Sequence, residues 1–170
     1  VKNFMLNSVN TELEGKLRNK LPQAAFPDLS PKYLSEPRGQ FRAPGGLLIA
    51  PKTTEQVSFI VKEANLQRVG IIPFGGGTGL VGGQVLDVKP GSVLVPIILC
   101  LGQMSNIRGL YPSENVMIVE GGVILSDVQS QAMEVGRLFP LSLASKGSAQ
   151  IGGLLATNAG GANVLRYGMV

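Results

Sequence analysis

The sequence predicts an α+β fold, and three observations carry this prediction. A strand pattern, an amphipathic helix pattern and a second strand pattern follow one another over residues 47–73. A similar strand and helix recur over residues 116–136, so a second unit is expected. Between them, residues 75–83 form a glycine-rich loop at the carboxyl end of a strand, where ligands bind in open α/β sheets. The chain has 170 residues, 44% of them apolar, which is enough to bury one core or two small ones.

The first predicted region, residues 1–46, is a helix followed by an extended lead-in. Apolar side chains spaced four apart predict a short amphipathic helix that ends at Pro22. These side chains are Val9, Leu13, Leu17 and Leu21. Proline, glycine and arginine are frequent over residues 22–51, so we expect a segment that becomes ordered only against packing partners. Within it, we expect residues 33–39 to contact another group.

The second predicted region, residues 47–104, is a small α+β unit. Thr53-x-x-Gln56 is a capping box, which predicts the start of a helix. The expected elements are, in order, a strand over residues 47–50, a helix over residues 54–66 and strands over residues 69–73 and 93–99. The glycine-rich segment therefore connects two strands.

This segment, the glycine loop of residues 75–83, contains six glycines in nine residues. Such a density is typical of backbone that needs positive φ or contacts a ligand directly, and exposed N–H groups in such a turn can hold a phosphate. A flexible linker is the alternative, but linkers are polar, whereas Leu80 and Val81 lie within this loop. We expect Gly79 to have a positive φ and to allow close approach of a phosphate.

The glycine loop does not follow the common phosphate-binding designs. Gly77-x-Gly79-x-x-Gly82 matches the dinucleotide fingerprint formally, but Pro90 would interrupt the helix that must follow. No acidic residue follows at the required distance, and the Gly-Lys-Ser/Thr of a Walker loop is missing. The sequence therefore predicts a nest between two strands, without a helix dipole.

The third predicted region, residues 105–170, contains a strand over residues 116–120, a helix and a short strand over residues 137–140. Ser126-x-x-Gln129 predicts the cap of the helix, and Gly136 is expected at its C′ position. The expected apolar face of the helix consists of Leu125, Val128, Ala132 and Met133.

A second tract, residues 145–161, alternates small residues with hydroxyl and amide groups. By itself, this pattern is as consistent with a close-packed turn as with ligand contact. Two glycine-rich segments in one short chain favour a long ligand with a pyrophosphate in its middle.

Composition argues against several functional classes. The chain has no histidine, the usual general base and zinc ligand, so we expect no hydrolytic triad and no metal centre and assign no catalytic residue. Cys100 lies in an apolar run and is predicted to be a buried, inert thiol. The 15 basic residues are scattered despite a net charge of +4, so no nucleic-acid partner is expected. No apolar run reaches the length of a membrane span, and we expect a soluble cytoplasmic protein.

Five motifs in order closely resemble the PCMH-type FAD-binding domain of the vanillyl-alcohol oxidase and p-cresol methylhydroxylase superfamily. They are Pro73-x-Gly-Gly-Gly-Thr-Gly-Leu-Val-Gly-Gly83, Val119-Glu120-x-Gly122-Val123, Phe139-Pro140-Leu141, Ser145-Lys146-Gly147-Ser148-x-x-Ile151-Gly152-Gly153 and Thr157-Asn158-Ala159-Gly160-Gly161. The branch they resemble most contains the glycolate oxidase large subunit, D-lactate dehydrogenase and D-2-hydroxyglutarate dehydrogenase. The resemblance implies FAD as the cofactor, with the glycine loop around its pyrophosphate and the second tract along its ribityl chain and flavin ring. Without a histidine, and with Cys100 expected to be buried, FAD should be held non-covalently.

The resemblance also implies a set of cofactor-binding residues. These are Pro73, Gly75, Gly76, Gly77, Thr78, Gly79, Leu80, Gly82, Met104, Pro140, Ser145, Gly147, Ser148, Ile151, Gly152, Gly153, Thr157, Asn158 and Gly161. Three positions depart from the pattern: Leu154 stands where asparagine is usual, Cys100 where serine is common and Gly121 where alanine is usual.

The implied activity is that of the FAD-binding portion of a 2-hydroxyacid dehydrogenase, in which a hydride passes from the substrate α-carbon to FAD. Because this family carries its catalytic histidines and metal in a separate substrate domain, the chain resembles an amino-terminal piece, with the first FAD-binding subdomain complete and the second truncated. We expect it to be inactive alone and to associate with the missing carboxyl-terminal half or with another copy. The alternatives are a cofactor-free domain that acts only in association and a phosphate- or nucleotide-binding module.

Overall fold

A computed structural model describes residues 5–86 and 94–170. It contains two compact units, Val1–Leu101 and Gly102–Val170, and each unit has a hydrophobic core of its own. The predicted division into residues 1–46, 47–104 and 105–170 stays a prediction.

The first unit begins with helix α1, Thr11–Lys20. The side chain of Asn10 caps it by accepting a hydrogen bond of 2.8 Å from the Leu13 N–H. Leu13 and Leu17 are fully buried, so the predicted apolar stripe is confirmed. The chain then makes two short 3-10 turns, Gln23–Ala25 and Pro31–Tyr33, in the predicted lead-in.

The core of the first unit is built on strand β1 (Leu47–Ile49), helix α2 (Thr54–Leu66), strand β2 (Ile71–Phe74) and strand β3 (Ile97–Cys100). Among the described residues these strands form a parallel sheet in the order β1-β3-β2. All four residues of β3 are buried, as expected for the central strand of a parallel sheet. The predicted strand over residues 93–99 is displaced towards Cys100, and position 93 lies outside the described residues.

Helix α2 has the bounds that the sequence predicts, because its signals are local. The Gln56 N–H donates to Thr53 Oγ1 over 3.3 Å, and Gln56 Oε1 accepts from the Lys52 N–H over 2.7 Å. The returning bond of the capping box therefore reaches the residue before the cap rather than the cap itself.

The second unit contains strand β4 (Ile107–Tyr111), strand β5 (Val116–Val119) and helices α3 (Leu125–Glu134), α4 (Ile151–Ala156) and α5 (Val164–Tyr167). Strands β4 and β5 form an antiparallel pair with an irregularity between Ile107 and Gly109. The sequence prediction missed β4, whose apolar pattern is interrupted by Arg108 and Gly109. The core of this unit includes Val123, Leu125 and Val128.

Helix α3 corrects part of the predicted capping. Ile124 is the N-cap, and Ser126 lies inside the helix rather than capping it. The first N–H groups are bound by distant carbonyls instead: Leu125 donates to Ala149 over 2.9 Å and Ser126 to Lys146 over 3.0 Å. Met133, predicted on the apolar face, is 74% exposed.

The end of α3 follows the prediction, but the strand expected after it does not form. Gly136 has φ +67° at the C′ position, and the Arg137 N–H donates to the Ala132 carbonyl over 2.8 Å, as in a Schellman motif. Residues 137–140, all of them described, form no strand. Side chains bind this segment instead: Gln129 Nε2 donates to the Phe139 carbonyl over 3.5 Å, and Asn163 Nδ2 donates to the Pro140 carbonyl over 2.9 Å.

Candidate functional site

The glycine loop starts where β2 ends and is shaped by two left-handed residues. Gly77 has φ +70° and Gly82 has φ +77°, a region that residues with a side chain rarely adopt. Gly79 does not lie in that region, so the prediction of a positive φ at Gly79 is wrong. Space is the constraint there, because a Cβ on Gly79 would lie 2.8 Å from Gln84 Oε1.

Two aromatic rings lie against the loop. A Cβ on Gly77 would lie 3.1 Å from Cζ of Phe74, and a Cβ on Gly82 would lie 2.9 Å from Cδ2 of Phe41. Tyr33 meets Phe74 edge-on, with the ring centroids 4.7 Å apart. The contact expected for residues 33–39 is therefore at least partly internal packing beside the loop.

Gln84 is a residue of this site that the sequence reasoning missed. Its Nε2 donates to the Gly77 carbonyl over 3.0 Å, so its amide lies across the loop. The one signal in the sequence was position: Gln84 and the apolar Val85 directly follow the last glycine of the loop.

Among the described residues, the fold does not use the backbone N–H groups of the glycine loop. Residues 75–83 donate no hydrogen bond to the backbone carbonyl of any described residue. They also carry no charged side chain. An anion bound here would be held by N–H dipoles, which is the nest that the sequence predicts.

The second tract is organised differently, because its backbone is used by the fold. The Gly152 N–H donates to the Gly121 carbonyl over 2.8 Å, and a Cβ on Gly152 would lie 2.9 Å from the same oxygen. Gly161 has φ +64°, and a Cβ there would overlap the Ser142 carbonyl.

Asn158 also has a role in the fold of the second tract. It has φ +52° directly after the C-cap of α4, where its N–H donates to the Leu155 carbonyl over 3.3 Å. The Ala159 N–H donates to the Leu154 carbonyl over 3.0 Å, which completes a Schellman motif. Leu154, the departure from the asparagine pattern, is buried in the core of this unit.

One buried polar atom of the second tract lacks a partner. Gln150 Oε1 is buried without a hydrogen bond to any described residue. A buried polar atom in this state is costly unless a ligand or water binds it. Gly153, three residues further along the tract, has no heavy atom within 4 Å of an added Cβ.

Residues 46–170 match the family model described as FAD binding domain. The chain belongs to this family. FAD is accordingly its cofactor. Two features of the described residues fit such a ligand: the N–H groups of the glycine loop bind no described backbone carbonyl, and Gln150 Oε1 has no described partner.

The chain is similar to curated proteins named as D-lactate and D-2-hydroxyglutarate dehydrogenases. A putative mitochondrial D-lactate dehydrogenase of Schizosaccharomyces pombe is 38% identical over 155 residues, which cover 91% of this chain and 28% of the relative. A probable mitochondrial D-2-hydroxyglutarate dehydrogenase of Oryza sativa subsp. indica is 38% identical over 130 residues, covering 76% and 22%. The chain thus spans less than a third of the length of these relatives.

Solved structures share the fold. An alkyldihydroxyacetonephosphate synthase superposes with a TM-score of 0.81 at 20% identity, covering 98% of this chain and 34% of that chain. Wild-type Phl p 4.0202, a glucose dehydrogenase, superposes with a TM-score of 0.72 at 16% identity, covering 93% and 34%.

The predicted cofactor-binding residue Pro73 lies in β2. The predicted residues outside β2 and the glycine loop lie in the second unit. The Met104 carbonyl accepts from the Gly122 N–H over 2.8 Å, and the Pro140 carbonyl accepts from Asn163 Nδ2 over 2.9 Å. The Ser145 carbonyl accepts from the Ser148 N–H over 2.9 Å. Cys100, at the end of β3 in the first unit, is a free, buried thiol, as predicted.

A buried carboxylate lies elsewhere in the second unit. Glu120 accepts from the Asn106 N–H over 2.9 Å and pairs with Arg108, whose Nη2 lies 2.6 Å from Oε1. The Asn106 N–H and the Arg108 guanidinium lower the pKa of the Glu120 carboxyl below its ordinary value, against the effect of burial.

An open pocket of about 430 Å³ next to Asn106 and Asp127 contains none of the predicted cofactor residues.

In the described parts of the chain, no helix is long and apolar enough to cross a membrane. Those parts also hold no group of three or more acidic or cysteine side chains placed to bind a metal ion.

Proposed function

We propose that this chain is the FAD-binding portion of a flavin-dependent 2-hydroxyacid dehydrogenase. The observation that carries the proposal is the glycine loop, which offers uncommitted N–H groups at the end of a parallel strand. The relatives named as D-lactate and D-2-hydroxyglutarate dehydrogenases support the substrate class.

In the first unit, the N–H groups of residues 75–79 bind the FAD pyrophosphate. Without a cation in the loop, the binding depends on the direction of these N–H groups, and so on the left-handed turns at Gly77 and Gly82. Gln84 and the two rings hold those turns in place.

In the second unit, the second tract contributes contacts to the flavin part of the cofactor. Gln150 Oε1 accepts a hydrogen bond from FAD, because the fold leaves it without a donor. Gly153 and Gly147 allow close approach, since neither has a neighbour where a side chain would be. Gly152, Asn158 and Gly161 serve the fold of the tract first.

When bound, FAD would supply the acceptor for a hydride from the substrate α-carbon, and this chain would bind and orient the cofactor. We propose that the cofactor is held non-covalently, because Cys100 is buried and histidine is absent. The chain alone is inactive and holds FAD weakly. It becomes active only together with the further sequence that its longer relatives contain. Without that sequence, the chain associates with other copies of itself. We propose the cytoplasm as its location.

Titration of the purified chain with FAD, followed by flavin fluorescence, tests this proposal. We expect saturable binding that ADP competes for only weakly, and release of all flavin on acid precipitation. Equal affinity for ADP and FAD would instead identify a nucleotide-binding module. Submicromolar FAD affinity, or turnover of D-lactate with an artificial acceptor, would contradict the view that the chain alone is incomplete.

A matched pair of substitutions tests the glycine loop. Gly79→Val should weaken FAD binding by about tenfold or more, because its side chain displaces the Gln84 amide and blocks the loop. Gly83→Val is the control, since no heavy atom lies within 4 Å of an added Cβ there and its φ is not left-handed. Equal FAD affinity in the two variants would show that the loop is misassigned.

A further inference from the structure

Glu36 is a buried carboxylate that the FAD-binding function does not explain. Its exposure is 2%, although a charged glutamate is rarely buried without partners. Its partners are backbone N–H groups of the next residues: Arg38 donates over 2.6 Å, Gln40 makes a shorter bond, and Phe41 lies at 3.4 Å. Burial alone would raise the pKa of the Glu36 carboxyl, but these N–H groups and the charge of Arg38 hold it below its ordinary value.

The bonds to Glu36 close a small loop over residues 34–43. The Gly39 N–H donates to the Glu36 carbonyl over 2.9 Å, with φ +68° at Gly39. At the open end, the Ala43 N–H donates to the Leu34 carbonyl over 2.8 Å. The carboxylate therefore fixes the path of the chain up to Phe41.

Phe41 connects this small loop to the glycine loop. Its ring occupies the place where a side chain on Gly82 would be, 2.9 Å from the added Cβ. Gly82 closes the glycine loop, because its carbonyl accepts from the Val85 N–H over 3.0 Å. The other left-handed turn, at Gly77, lies on Phe74, which belongs to β2 and does not depend on Glu36.

We propose that Glu36 is a positioning residue for the FAD phosphate loop, acting through the Phe41 ring on the turn at Gly82. The FAD part of this proposal rests on the proposed function. Its structural part concerns the shape of the glycine loop with or without cofactor, so the two can fail separately.

The test uses the ¹⁵N-labelled chain with Glu36→Gln, Phe41→Leu and the double variant. The first measurement is the hydrogen-exchange rate of the Val85 amide, with the amides of α2 as an internal reference. The second is FAD titration. Glu14→Gln is the matched control, because it removes the same charge from an exposed ion pair with Arg18.

We expect Glu36→Gln to raise the Val85 exchange rate and to weaken FAD binding, each by about tenfold, the size of one charge-assisted hydrogen bond, with α2 unchanged. Phe41→Leu should act in the same direction, and the double variant should be little worse than either single variant, because both interrupt one path. Glu36→Asp keeps a carboxylate and should remain close to the parent in both Val85 exchange and FAD affinity. Glu14→Gln should change neither quantity.

Unchanged Val85 exchange in Glu36→Gln, or effects of the two substitutions that simply add, would overturn the proposal. If Glu36→Gln also raises exchange throughout α2, Phe41→Leu and Glu36→Asp decide: the proposal then requires Phe41→Leu to affect Val85 and FAD selectively and Glu36→Asp to retain parent-like behaviour. If the parent chain does not bind FAD, the assignment of the glycine loop fails, while the Val85 exchange rates still decide the role of Glu36.

Discussion

The glycine loop and the second tract have similar compositions but use their glycines for opposite purposes. In the glycine loop, two left-handed glycines lie on aromatic rings, and the backbone N–H groups donate to no carbonyl within the described parts of the chain. In the second tract, most N–H groups are bound within the unit, and Gly152 and Gly161 pack directly on backbone carbonyls. Glycine density therefore indicates close approach in both regions, but only the backbone hydrogen bonds show whether the neighbour is a ligand or the protein itself.

Among the substitutions that test this contrast, one at Gly161 should have the largest effect on the free energy of unfolding. Gly161→Ala should reduce the free energy of unfolding by about 3 kcal/mol, from the left-handed φ and from overlap with the Ser142 carbonyl, which cannot rotate away. Urea unfolding measures this. Gly147→Ala is the control and should change stability by less than about 0.5 kcal/mol, because open space surrounds that position. A similar loss in both variants would contradict the packing described for the second tract.

A smaller loss of stability, with a larger loss of binding, is expected in the glycine loop. Gly82→Ala should reduce the free energy of unfolding by about 2 kcal/mol, because the Phe41 ring can shift where a backbone carbonyl cannot. FAD titration should show weaker binding in Gly82→Ala, since its turn aims the loop. If Gly82→Ala is destabilised but binds FAD normally, the glycines of the loop serve the fold rather than the ligand, as those of the second tract do.

Gln84 should contribute less than either glycine. Gln84→Ala removes the hydrogen bond to the Gly77 carbonyl and should reduce stability by about 1 kcal/mol. Because the glycine loop loses its internal support, FAD affinity should fall together with stability. Gln131→Ala, which removes an exposed amide on α3 in the second unit, serves as the control. An unchanged urea midpoint and FAD affinity in Gln84→Ala would show that the rings alone hold the loop.

The smallest expected effect is the acid dependence of stability that comes from the two buried carboxylates. The pKa values of Glu36 and Glu120 are both lowered from the ordinary 4.5, so each stabilises the folded chain fully above that pH. This stabilisation is lost as pH falls through the lowered folded pKa. The urea midpoint should therefore fall on acidification below 4.5 in the parent and fall less in Glu36→Gln and Glu120→Gln. If both variants lose stability with acid as steeply as the parent, these carboxylates are not the titrating groups.

Local signals explain the elements that were predicted well. The start of α2 follows from Thr53 and Gln56, and the end of α3 follows from the left-handed φ of Gly136. All three residues lie at the helix ends that they determine. The start of α3 was mispredicted, because its N–H groups are bound by the Lys146 and Ala149 carbonyls rather than by Ser126.

The roles of Glu36 and Gln84 had no comparable signal. A glutamate in a proline- and arginine-rich segment is normally an exposed charge, and its burial depends on N–H groups that a turn brings together. The strand predicted over residues 137–140 failed for a related reason, since a strand requires a neighbouring strand, and the side chains of Gln129 and Asn163 bind the carbonyls of this segment instead.

The sequence by itself determined helices α1 and α2, the end of α3, the position of the glycine loop and, through its motifs, the FAD-binding family. Each depends on residues close together in the chain or on a fixed order of short motifs. Only the tertiary structure decided what each glycine is for, because Phe41 lies far in sequence from Gly82 and Gly121 far from Gly152. A missing side chain shows that something comes close, and only the folded chain shows what that neighbour is.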